Sequence, residues 1–171
     1  MTKKLSMLWK KLVLMLHIAF SGIMLGSAAI FLIVSLTAAT TDDPAMVEAC
    51  YRVLRVLATS SVRASTIGTV VTGIVLSVGT HWGLVKYDWL IAKQVLTLVT
   101  IVVGFVGMNV WTLRGLELAS GGSGGPAADA GAFVVNETYL FIGIGLQLVS
   151  LVAMFALSVY KPRGKRGARA V

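Results

Sequence analysis

The chain has 171 residues, of which 57% are hydrophobic and only 13% charged, with a net charge of +8. A soluble domain carries about 25% charged residues, so the composition excludes an ordinary water-soluble globule, and the mean hydropathy of +0.87 agrees. Four membrane spans and their connections use up this length, which predicts a single membrane domain over 1–171 with no soluble appendage.

Four stretches contain no Asp, Glu, Lys or Arg: Leu12 to Thr41, Ala64 to Val85, Gln94 to Leu113 and Thr138 to Tyr160. A spanning helix needs roughly 20 apolar residues to cross a hydrocarbon core about 30 Å thick. The predicted fold class is therefore all-α, a polytopic membrane protein with four transmembrane helices in an antiparallel bundle.

The first helix is predicted over about 9–37, with Trp9 at its headgroup edge. Its uncharged run of thirty residues exceeds the 7–15 residues of a signal-peptide core, which favours a retained helix. The small residues Ser27, Ala28 and Ala29 leave cleavage as the alternative. Asp43-Pro44 is a turn signal, and Pro44 with Glu48 opens a short amphipathic helix leading into the second span, about 57–80. Gly83 caps that span after Trp82. The connection "HWGLVKYDW" is short, which makes the second and third spans antiparallel neighbours. The third span covers about 89–113. Residues 118–133, "LASGGSGGPAADAGAF", read as a flexible external loop. The fourth span, about 135–160, stops at Pro162. The Asn136-Glu137-Thr138 sequon sits at a helix start and is set aside.

Lys3, Lys4, Lys10, Lys11, Lys86 and the tail's Lys161, Arg163, Lys165, Arg166 and Arg169 all fall on one side if four helices alternate. Basic residues mark cytoplasmic loops, so both termini are predicted to be cytoplasmic, in a multi-pass protein of a bacterial inner membrane. The basic tail follows a span directly and reads as a flank resting on lipid headgroups, not as a nucleic-acid arm. The expected partner is the lipid bilayer, with a homo-oligomer or another membrane protein left open. Cys50, the only cysteine, has no partner for an internal disulfide and reads as buried and inert.

Lipid supplies no hydrophobic drive for helix association, so small and polar stripes mark the interfaces. The first helix offers Gly22 and Gly26. The second offers Ser61, Ser65, Thr69 and Thr72; the third Lys93, Thr97, Thr100, Gly104, Gly107 and Trp111; the fourth Gly143, Gln147, Ser150 and Met154. All four stripes are expected to converge.

An ionisable side chain inside a span costs about 2.5–3.5 kcal/mol on insertion scales and is a functional candidate by default. His17 is one. Its imidazole suits haem iron, copper or zinc, and the plainer alternative is a neutral ring bonded to a carbonyl or a Ser or Thr. Lys93 is the second; it either snorkels or turns inward, where a propionate or lipid phosphate would match its charge. Arg63 reads as an outer anchor that pairs with Glu137 or Glu48, and His81 as a helix-end residue. His17, Lys93 and His81 share the cytoplasmic half, which fits a haem with propionates toward the cytoplasm or a soft-metal site.

The segments "KKLVLMLHIAFSGIMLGSAAIFL" and "THWGLVKYDWLIAKQVLTLVTIVVG", with the closing "SVYKPRGKRG", resemble a bacterial family of four-helix integral membrane proteins of unknown function. More distantly the chain is similar to the membrane domain of copper-resistance D proteins and to HemJ-type protoporphyrinogen oxidases. The HemJ resemblance implies haem b, with a helix-one histidine and a helix-three lysine as the functional pair; His17 and Lys93 stand at those places. The Pro-Arg pair that closes the HemJ-type histidine segment is missing from "SGIMLGSAAIFLIV", so the resemblance implies a haem more than the oxidase activity.

The leading expectation is an integral membrane protein that binds haem b through His17, with Lys93 near a propionate, in a redox or haem-handling role. The alternatives are copper binding or transport through His17 and Met24, since thioether and imidazole suit Cu(I), and a cofactor-free interaction or scaffold protein. No phosphate loop or nucleophile triad supports a hydrolase or ATPase.

Overall fold

A computed structural model describes residues 6–79, 87–121 and 126–160. Among them the chain is all-helical, with four helices long and apolar enough to cross a membrane. These are α1 (Met7–Thr40), α2 (Pro44–Gly79), α3 (Asp88–Ala119) and α4 (Pro126–Tyr160).

Local chemistry sets the helix ends. Ser6 caps α1, its hydroxyl accepting from the Trp9 N–H at 3.4 Å. Asp43 caps α2, accepting from the Ala45 N–H at 3.0 Å, and Pro44 fills the first turn, where its missing N–H costs nothing. The amphipathic segment expected from Pro44 runs on into the second span without a break. At the end of α3 the Ser120 N–H returns to the Leu116 carbonyl at 3.0 Å, and Gly121 follows in the left-handed region at φ +86°.

The flexible loop expected over 118–133 is corrected at both ends. Helix α3 continues to Ala119, and α4 begins at Pro126. Alanine is the best helix former, and Ala127, Ala128, Ala130 and Ala132 outweigh the single Gly131. Phe133 then packs edge-on against Tyr51, ring centroids 5.5 Å apart, so the last residue of that stretch belongs to the core.

Polarity is distributed inversely to that of a soluble bundle. Ile33, Leu98 and Val149 are each more than 60% exposed, while Ser65, Thr66, Thr100, Gln147 and Ser150 are each 2% exposed or less. Most buried hydroxyls donate to the carbonyl one turn back, as Thr66 does to Val62 at 2.7 Å and Thr112 to Met108 at 2.6 Å. This satisfies the side chain without a partner helix and lets the helices approach closely.

Each interface has its own register. Along α1 and α2, His17 meets Thr72, the Phe20 ring covers Gly68, the Met24 sulfur meets Thr66, and Ser27 donates to Ser61 at 3.2 Å. Tyr51 of α2 is seated on Gly115 of α3. Along α3 and α4, Lys93 meets Ser158, Thr97 meets Met154, Gly104 meets Gln147, and Trp111 packs on Gly143 and stacks on Tyr139. The polar stripes expected on the second, third and fourth helices thus do face their neighbours.

The stripe expected on the first helix does not. A Cβ at Gly22 or Gly26 would meet nothing within 4 Å. The buried seam of α1 is Met24, Ser27, Ala28, Phe31, Ser35 and Ala38. At about 100° per residue, Gly22 and Gly26 lie some 200° from Met24, on the opposite side.

Two π-helical segments interrupt the long helices, Ala58–Val62 in α2 and Val102–Gly107 in α3. They meet across the bundle, where the Gly104 α-carbon lies beside Val62 and Gln147. In the first of them Thr59 and Ser60 return hydroxyl bonds to the Arg55 and Val56 carbonyls at 2.9 and 2.6 Å. Side-chain donors of this kind satisfy backbone acceptors that a π turn releases.

The Tyr51 ring occupies the space a side chain at residue 115 would need. Gly115→Ala should therefore destabilise the protein by about 1–3 kcal/mol through overpacking, read as a lower unfolding midpoint in detergent. Gly22→Ala, whose methyl enters open space and replaces a poor helix former by a good one, should not lower the midpoint.

Candidate functional site

The site is built on His17, ten residues into α1, and on Lys93, five residues into α3. Both are half-buried.

His17 Nδ1 lies 3.1 Å from the Thr69 carbonyl and 2.9 Å from Thr72 Oγ1. The carbonyl can only accept. The single Thr72 hydroxyl proton is committed to the Gly68 carbonyl at 2.6 Å, so its oxygen also accepts from the ring. This assigns the proton of a neutral imidazole to Nδ1. Nε2 then keeps its lone pair and makes no hydrogen bond among the described residues. Gly73 makes the approach possible, since a Cβ there would stand 3.3 Å from the imidazole Cε1. A ring whose Nδ1–H is held by a carbonyl, with Nε2 open, is the arrangement found in metal-ligating histidines. The plainer alternative, a ring bonded to a carbonyl and a threonine, holds at Nδ1 and leaves Nε2 open.

Lys93 Nζ donates to Ser158 Oγ at 2.7 Å, and Ser158 donates onward to the Met154 carbonyl at 2.8 Å. Lys93 therefore turns toward α4. Met154, which Thr97 meets, packs with Met24 and Leu151, and His17 and Lys93 both lie beyond that level toward the same end of the bundle.

Met24 does not join them. It lies seven residues beyond His17 on the unbroken helix α1, about 10.5 Å along the axis, too far for one ion to bind both. Its sulfur is buried against the Thr66 hydroxyl at 3.4 Å. Among the described residues no group of three or more His, Cys, Asp or Glu is placed to hold a metal ion. His81, Trp82, Gly83 and Lys86 lie outside the described residues, as do Lys3, Lys4 and the tail from Lys161.

Other polar residues take structural roles. Asn136 is 3% exposed and donates to the Trp111 carbonyl at 2.9 Å, which buries the asparagine of the sequon. Cys50 is free and buried. Glu48 is engaged by Arg52, and no ion pair joins Arg63 to Glu137.

Ser158 is the site residue that sequence reasoning missed. It lies one turn beyond Met154, so extending the α4 stripe by four residues would have reached it. Comparison with models of known protein families, with curated proteins and with solved structures finds no match to the chain. The residues themselves carry the functional reading.

The His17–Thr72 bond can be weighed by a double-mutant cycle of His17→Phe and Thr72→Val in detergent. Interhelical hydrogen bonds in membrane bundles average about 0.6 kcal/mol and reach about 1.7. A coupling in that range is expected, and ¹⁵N spectra should show the neutral ring protonated at Nδ1.

Proposed function

We propose that the chain is a multi-pass protein of a bacterial inner membrane that holds haem b through His17, in a redox or haem-handling role. The observation that carries this reading is the His17 ring itself, half-buried, with Nδ1–H fixed by Thr69 and Thr72 and an open Nε2 lone pair. Imidazole held in this way suits haem iron.

The donor types at the site, an imidazole and an ammonium, suit the group. Nε2 of His17 would ligate the iron, and the Lys93 ammonium would face a propionate. The bound haem would supply one-electron chemistry at its iron. The chain's own contribution is to hold the ring in one tautomer and to place a positive charge at the same end of the bundle. Ser158 orients that charge by accepting one ammonium hydrogen.

The proposed topology is an antiparallel bundle with both termini in the cytoplasm. Its support lies in the pairings. His17, Phe20, Met24 and Ser27 rise along α1 as Thr72, Gly68, Thr66 and Ser61 fall along α2, and the α3–α4 pairs behave the same way. The basic residues outside the spans supply the orientation.

Copper held by His17 and Met24 is the weaker reading, because those two groups stand about two helical turns apart. Protein purified from cells supplied with haem should show a Soret band that His17→Ala abolishes and that Lys93→Ala shifts or weakens. Copper in place of iron on metal analysis would move the reading to a soft-metal site. A colourless, metal-free preparation that tolerates both substitutions would support a cofactor-free scaffold and overturn the haem proposal.

A further inference from the structure

Arg55 and Arg63 of α2 present two guanidinium groups that have no acidic partner among the described residues. Arg52, the nearest other cation on α2, is already engaged by Glu48. Arg63 Nε is enclosed and has no hydrogen-bond partner, while the terminal nitrogens of its fork are not enclosed. A buried N–H without an acceptor is costly and calls for one.

The backbone brings the pair together. In an unbroken α-helix, residues eight apart differ by about 80° around the axis. The π-helical segment Ala58–Val62 lies between them, and one such bulge adds about one residue, or roughly 100°, of phase. Arg63 thereby comes within about 20° of Arg55, and the two α-carbons stand about 10.5 Å apart along the axis. Arginine side chains are long enough to converge across that gap. Thr59 and Ser60, between them, are small and exposed, with their hydroxyls turned back onto helix carbonyls.

Depth and charge identify the occupant. Arg63 immediately precedes the uncharged run Ala64–Val85, so it marks the hydrocarbon edge, and Arg55, about 10.5 Å further out along the axis, stands at the outer limit of the headgroup layer, about 5–8 Å thick, with its side chain long enough to reach back into it. A lipid phosphate sits between those levels. The register that seats Tyr51 on Gly115 and Val62 beside Gly104 sets this stretch of α2 against Val103 to Trp111 of α3, which contains no Asp or Glu. Two adjacent cations repel the ammonium of a zwitterionic headgroup but not a headgroup without one, and arginine's planar fork matches phosphate oxygens in pairs.

We propose that Arg55 and Arg63 form a binding site for the headgroup phosphate of an anionic glycerophospholipid on the flank of α2. The site is independent of His17 and of any haem.

Native mass spectrometry of the full chain in detergent, titrated with phosphatidylglycerol or phosphatidylcholine, tests it. Phosphatidylglycerol should bind at least tenfold more tightly. R55Q and R63Q should each lose at least tenfold of that affinity, while R52Q stays within twofold of the parent. R55Q changes a half-exposed side chain and keeps the test valid if R63Q fails to fold. Equal binding of both lipids, an R52Q loss matching that of R55Q, or equal occupancy by inorganic phosphate alone would overturn the proposal.

Discussion

Lipid tails are as apolar as leucine, so nothing like the hydrophobic effect pulls these helices together. The bundle has to close by packing and by satisfying its backbone polar groups internally. Its interior shows how. Small residues let backbones approach, as Gly68 does under Phe20 and Gly115 under Tyr51. Hydroxyls return to their own helices, as Ser65 does to Ser61 at 2.6 Å. Among the described residues, contacts between helices include Ser27 with Ser61, His17 with Thr72, Thr66 with Met24, Thr97 with Met154, Asn136 with Trp111 and Lys93 with Ser158.

That economy explains the position of the candidate site. His17 spends one ring nitrogen on joining α1 to α2, and in doing so settles its tautomer and leaves the other nitrogen available. Lys93 donates to Ser158 of α4. The same groups that close the cytoplasmic half in the proposed orientation are the ones to which the haem proposal assigns the iron and the propionate. The π segments act at the other level of the bundle. They shift the phase of α2 and α3 between their two halves, so that Val62 still faces inward beside Gly104 although the residues before the bulge follow a different spiral.

Much of the fold was legible because the bilayer imposes a length and forbids charge. The four spans stand where the uncharged runs stand, and the stripes on α2, α3 and α4 face their partners because polar residues have few other places to go. Three features were not legible. Gly22 and Gly26 look like an interface, but the heavier seam of Met24, Phe31 and Ser35 takes the inward face and leaves the glycines outside. The loop composition around Pro126 hid a helix start because glycine signals were read without the alanines that follow. The π segments carry no residue pattern distinct from an ordinary apolar helix. At the site, His17 and Lys93 stood out by their insertion cost. Their partners Thr72 and Ser158 depend on the register between helices, which no single-helix pattern contains.

The pairing of α1 with α2 is the claim on which the rest depends. Cysteines placed at Ser27 and Ser61, in a chain with Cys50 replaced by alanine, test it in native membranes under mild oxidation. Their native hydroxyls stand 3.2 Å apart, so rapid intramolecular disulfide formation is the predicted result, with none when the exposed Ile30 replaces Ser27 as the cysteine position. Cross-linking from position 30 but not from position 27 would contradict the register and every contact built on it.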